Sequence, residues 1–138
     1  MDYSTFNLKN FFIKKDSTLP ALKYPLTQHL LEQYGITEDM LDNVGVTFSM
    51  IDAESGIYRI ANVAANLVIS TDRPNNPDEM KYTLVYKFKL KDTKKSGRYY
   101  GEFKLDFLEC GDNGKITIPT HNQINIIISD SITKTTVI

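Results

Sequence analysis

The chain has 138 residues, 41% hydrophobic and 24% charged, with a net charge of −1. That is one domain's length, and enough chain to bury a core without disulfides or metal, so disordered and fibrous classes are excluded. The near-neutral balance offers no field to gather the protein onto nucleic acid or an anionic membrane, and neither is expected as a partner.

Residues 6 to 14 contain Phe6, Leu8, Phe11, Phe12 and Ile13 beside Lys14 and Lys15, which predicts a strand. Pro20 and Pro25 then hold the chain extended, because the proline ring disfavours helix in the residue before it. Residues 1–25 are thus read as an N-terminal strand or arm with an extended connection, and residues 26–138 as a single β-sandwich domain.

A short helical insertion is expected near residues 27–43. Thr27 can cap a helix whose apolar Leu30, Leu31 and Tyr34 share a side, and Gly35 can end it. Thr37 opens a second turn, with Glu38 and Asp39 where the helix dipole favours acids.

From Val44 the pattern alternates. Val44, Val46, Phe48 and Met50 lie on one side of "VGVTFSMID", and "AESG" bends into "IYRIANV" as a hairpin with a positive backbone angle at Gly56. "AANLVIS" reads as another strand and "TDRPNNPDE" as a loop. In "KYTLVYKFKLK", Tyr82, Leu84, Tyr86, Phe88 and Leu90 face inward. In "RYYGEFKLDFLE", Tyr99, Gly101, Phe103, Leu105 and Phe107 face inward, and Tyr100, Glu102, Lys104 and Asp106 outward. Lys87 and Lys89 opposite Glu102 and Asp106 would suit neighbouring strands. "KITIP" and "QINIIISDS" complete the sheet, with Ile124, Ile126 and Ile128 inward; the tail "ITKTTVI" has high strand propensity. Seven or eight short strands joined by turns predict a mainly β fold of two antiparallel sheets packed face to face, with a closed barrel as the second option.

Candidate chemistry is sparse. No positioned acid, base, nucleophile or metal set stands out, so an enzyme is not expected and no cofactor is implied. His29 and His121 read as surface or capping residues. Cys110, the only cysteine, reads as a partly buried structural thiol with no disulfide partner. "GDNG" lacks calcium-loop spacing and reads as a turn. Lys91, Lys94, Lys95 and Arg98 form the one basic cluster, read as a solvated tip rather than a phosphate site. Glu102 and Asp106 would stand ~13 Å apart along a strand, too far for a glycosidase pair. The N-terminus lacks signal-peptide order and no apolar run approaches the ~20 residues of a membrane span, so a protein made and kept in a cytoplasm is expected.

Three stretches carry a resemblance: "FSMIDAESGIYRIANVAANLV", "YTLVYKFKLKDTKKSGRYYGEFKLDF" and "GKITIPTHNQINIIISDSI". Together, over residues 44–132, they resemble the immunoglobulin-like N-terminal domain of phage baseplate upper proteins and related tailed-phage virion proteins. The shared features are a strand ending in a bend (Asp52, Gly56), a turn with Gly97 and Tyr99, a strand with Glu102 and Phe103, and a last strand ending at Asp130 and Ser131. Residues 1–43 lie outside it. The resemblance implies an immunoglobulin-like sandwich and a non-enzymatic structural role in a virion made in the host cytoplasm. Head decoration, head fibre, neck, baseplate and tail adaptor all remain open. The expected partners are copies of itself, as dimer or trimer, and other capsid or tail proteins.

Assembly would use sheet edges and apolar termini. The candidate interface residues are Phe6, Phe11, Phe12, Leu22, Tyr24, Val137 and Ile138. The N-terminal group either clasps the chain's own sandwich or leaves it to dock on a neighbour by strand addition. The rival reading is a carbohydrate- or ligand-binding module using Tyr99 or Tyr100 as a stacking platform.

Overall fold

A computed structural model describes residues 10–70 and 81–132. It is mainly β, with two sheets and few helical turns. In chain order the strands are β1 (Phe11–Lys14), β2 (Leu22–Leu26), β3 (Val44–Asp52), β4 (Tyr58–Ala64), β5 (Asn66–Ile69), β6 (Tyr82–Tyr86), β7 (Gly97–Phe107), β8 (Lys115–Ile118) and β9 (Ile124–Ser129). Among the described residues one helix, α1 (Gln28–Tyr34), and three 3-10 turns accompany them.

The larger sheet has six strands in the order β1-β9-β7-β3-β4, with β8 also paired to β7; the smaller runs β2-β6-β5. The chain changes sheets at Ala65, between β4 and β5, where its N–H still bonds the Val46 carbonyl at 2.9 Å. Both sheets point their apolar faces into one core. Phe48, Met50, Tyr99, Phe103 and Ile126 come from the larger sheet, and Leu22, Tyr24, Leu84 and Tyr86 from the smaller. The alternation read in β7 and β9 holds: the odd residues Tyr99 to Phe107, and Ile124, Ile126 and Ile128, are all buried. Period-two patterning is decisive here because a one-residue slip would turn the whole apolar set to water.

The insertion forms as its caps dictate. Thr27 Oγ1 accepts the Leu30 N–H at 3.2 Å, Gly35 closes α1 at φ +73°, and Leu30 and Leu31 are buried. A helix of seven residues is too short to hold itself, so this packing is what keeps it. The following 3-10 turn, Glu38–Asp42, is tied to β6. Tyr82 Oη donates to Glu38 Oε1 at 2.5 Å, and Lys81 Nζ donates to the same oxygen at 3.0 Å.

Four expectations need correction. The first is the pairing of β6 with β7. These strands belong to different sheets, so Lys87 and Lys89 do not oppose Glu102 and Asp106; Asp106 instead meets Lys115 of β8 at 3.4 Å. Charge complementarity read along a chain cannot tell which strand will be the neighbour. Leu90 does not continue the inward row either: the strand ends at Tyr86, and Leu90 opens a 3-10 turn and is exposed. Not every pairing is antiparallel, since β1 runs parallel to β9 with Phe11 opposite Ile126 and Ile13 opposite Ile128. Finally, the N-terminal boundary at residue 25 does not separate an arm from the body. β1 is a strand of the larger sheet, and β2 pairs with β6 from Leu22↔Tyr86 to Leu26↔Tyr82.

Candidate functional site

The interface residues named from sequence scatter. Phe6, Val137 and Ile138 lie outside the described residues. Leu22 and Tyr24, which are 3% and 5% exposed, belong to the core, so a partner cannot use them. Pairing of β2 with β6 turns their side chains inward, which local aromatic density does not report. Phe11 is half-buried and stacks on Phe88 with centroids 5.8 Å apart. Phe12, one residue on and therefore on the opposite face, is 60% exposed. Among the described residues 10–26, β1 and β2 pair with strands of the chain's own sheets.

The other candidates are surface groups. His29 and His121 are exposed. So is Cys110, which sits in the 3-10 turn Leu108–Asn113 rather than partly buried at a strand end as expected. Lys91, Lys94, Lys95 and Arg98 are exposed, and Lys94 pairs with Asp16 at 3.2 Å. Among the described residues no cluster of three His, Cys, Asp or Glu is placed to hold a metal.

The site that does assemble is the outer face of the larger sheet. It begins at the hairpin between β3 and β4. Asp52 Oδ1 accepts the N–H groups of Glu54 at 2.8 Å and Ser55 at 3.1 Å, and Gly56, at φ +72°, returns its N–H to the Asp52 carbonyl at 2.9 Å. These N–H bonds, that of Ser55 foremost and then that of Glu54, hold the Asp52 carboxyl below its ordinary range. Only glycine adopts this left-handed conformation at little cost, so the bend is fixed by Asp52 and Gly56 together.

That bend sets the register, and the register builds a row. Ile51 lies opposite Tyr58 on β4 and opposite Tyr100 on β7, so Tyr58, Ile51 and Tyr100 stand side by side across three strands. Tyr58 is 58% exposed and Tyr100 half-buried, with the Arg98 guanidinium 6.0 Å from its ring centroid. Two residues along, Glu102 lies opposite Ser49. Ser49 Oγ accepts the Asn62 N–H at 2.9 Å and donates to Asn62 Oδ1 at 3.2 Å, pinning the irregular stretch of β4.

Tyr99, the other tyrosine considered for stacking, is fully buried, and its hydroxyl donates to the Lys95 carbonyl at 2.7 Å. Burial, above all, pushes that hydroxyl's pKa upward. It is a core residue and no platform. Tyr100 was legible from alternation. Tyr58, Ile51 and Gln123 were not, although the spacing of Ile51 and Tyr58 about the Gly56 bend carries the signal that a register argument could have used.

A second, broader depression of about 620 Å³ lies farther along the same face, over Thr47, Lys104, Asp106, Lys115 and Thr117. Within it Asp106 is paired with Lys115 at 3.4 Å. Comparison with known proteins gives no match, whether to family models, to curated proteins by sequence or to solved structures by fold.

Proposed function

We propose that the chain is a non-enzymatic structural subunit of a tailed-phage particle, an immunoglobulin-like sandwich that assembles through its sheet edges with copies of itself and with other virion proteins. The observation that carries this reading is the set of open edges. Among the described residues β1 and β4 bound the larger sheet, β2 and β5 bound the smaller, and each pairs on one side only. Such edges present unpaired N–H and C=O groups, the template for strand addition. Apolar side chains stand beside them: Phe12 on β1, and Val68 and Ile69 on β5, each of the latter 48% exposed.

The places that carry the resemblance support the same reading. Asp52 and Gly56 make a hydrogen-bonded bend, and Gly97, Tyr99, Glu102 and Phe103 all lie on β7, the central strand.

Mass spectrometry of purified particles, combined with sedimentation of the isolated chain, tests the proposal. The expected result is a fixed copy number per particle and a self-associated isolated chain, with Val68→Lys/Ile69→Lys weakening that association. A strictly monomeric chain absent from washed particles would refute it.

A further inference from the structure

The concavity beside Glu102 is built by a break in the sheet. β3 pairs with β7 along that strand's length, but on the other side the partner is interrupted. β8 ends with Ile118 opposite Phe103, and β9 resumes with Ile124 opposite Gly101. Residues 119–123 therefore loop out opposite the single residue Glu102. Extra residues on one strand re-aim side chains and recur next to binding sites. Here the excursion places Gln123 at the edge of a concavity of about 190 Å³, with Ile51, Tyr58, Tyr100 and Glu102 around it.

The chemistry of that lining is mixed in a specific way. Ser49 has spent its hydroxyl on Asn62. The Glu102 carboxylate and the Gln123 amide, in contrast, have no hydrogen-bond partner among the described residues. One is an acceptor only, and the other offers both donor and acceptor. They stand beside two tyrosine rings whose faces carry partial negative charge and attract the weakly positive C–H groups that a saturated sugar ring projects from its face. The concavity lies in the middle of a sheet face, where β3 and β7 are paired with each other, so a peptide cannot enter by adding a strand. It is smaller than the roughly 300–1,000 Å³ typical of pockets for drug-sized ligands, which suits one ring. Glu102 at its wall disfavours anions.

We propose that this concavity binds one pyranose ring of a neutral saccharide, stacked against Tyr100 and Tyr58, with Glu102 accepting from adjacent hydroxyls and Gln123 bonding a third. The site uses side chains on the outer face of the sheet, Tyr58 of the edge strand β4 among them, whereas the assembly reading uses main-chain groups at the edges, so saccharide binding and self-association are read separately.

Two-dimensional amide NMR of the full chain tests it, with methyl β-D-glucopyranoside, methyl β-D-galactopyranoside and methyl N-acetyl-β-D-glucosaminide as probes at millimolar concentration. At least one should give saturable shifts centred on Ile51, Tyr58, Tyr100, Glu102 and Gln123. Tyr100→Ala should weaken binding by about tenfold, whereas Tyr100→Phe, which keeps the ring, should bind within about threefold of wild type. Glu102→Gln should weaken the neutral probe and narrow its preference over methyl β-D-glucuronide. Tyr58→Ala, at an exposed position, supplies a variant whose fold is not at risk. No saturable shift with any of the three probes overturns the proposal. So does saturation at residues elsewhere, or unchanged affinity in both Tyr58→Ala and a folded Tyr100→Ala.

Discussion

Phe48 and Tyr86 stack across the two sheets with ring centroids 4.6 Å apart and planes inclined by 23°. Phe48 is the centre of an aromatic group. It also touches Phe103 within its own sheet at 5.0 Å and Phe88 edge-on at 6.4 Å. Its side chain is completely buried. Phe48→Ala removes the contact that locks one sheet to the other and leaves a cavity that rigid neighbouring strands cannot fill. It should cost about 3–5 kcal/mol, read from denaturant unfolding. A cost below about 1 kcal/mol would mean that the sheets are not joined through this ring.

The same ring limits what residue 101 can be. A Cβ built on Gly101 would lie 2.8 Å from Phe48 Cζ and 2.8 Å from Ile126 Cδ1. The Ile126 methyl can rotate away, but the Phe48 ring is held on several sides. Gly101→Ala should destabilise by about 1–3 kcal/mol through overpacking. Adding Phe48→Leu to that variant should cost less than it does in the wild type. Additive costs in the double variant would show that the two sites do not compete for space.

Tyr86 is held at its far end as well. Its hydroxyl donates to Asp92 Oδ2 at 2.6 Å, and the same oxygen accepts the Lys89 N–H at 2.8 Å. Asp92 is 2% exposed, so these bonds replace the water it has lost. Burial, together with the carboxylate, raises the Tyr86 hydroxyl's pKa. Tyr86→Phe and Asp92→Ala should each cost about 1–3 kcal/mol, because each strands a buried polar group. In a double-mutant cycle the pair should cost less than the sum of the singles. Strict additivity would remove this bond from the account of stability.

Acid should loosen the bend between β3 and β4. The folded-state pKa of Asp52 is depressed by the Ser55 and Glu54 N–H groups. An unfolded chain therefore binds that proton more readily. The stabilisation is present above the ordinary aspartate value of about 4 and is lost as pH falls through the lowered folded-state pKa. Glu38 behaves with the same sign, through Tyr82 and then Lys81. Thermal midpoints of wild type and Asp52→Asn, compared from neutral to strongly acidic pH, isolate the first contribution. The wild-type advantage should shrink in acid, and a constant difference across pH would exclude the linkage.

Alternation and caps were legible because their causes are local. Tyr99 to Phe107 declare their inward face by period-two spacing, and Thr27 and Gly35 declare the ends of α1 by the backbone groups they satisfy. Partner choice was not legible. Lys87 and Lys89 looked like neighbours of Glu102 and Asp106, yet β6 went to the smaller sheet, since covering Phe48 with Tyr86 outweighs the small gain of exposed charge pairs. Leu22 and Tyr24 looked free for a partner, and the core claimed them for the same reason.

By itself, then, the amino-acid order determined which segments extend, where they bend and which side of each is apolar. Those properties depend on neighbours within a few residues. Only the tertiary structure decided which strands meet, that β1 lies parallel against β9, and that Tyr58, Tyr100, Glu102 and Gln123 surround one hollow. Tyr100 and Glu102 share β7, but Tyr58 and Gln123 come from distant parts of the chain, and their meeting with that strand is fixed by long-range register and by the excursion at residues 119–123.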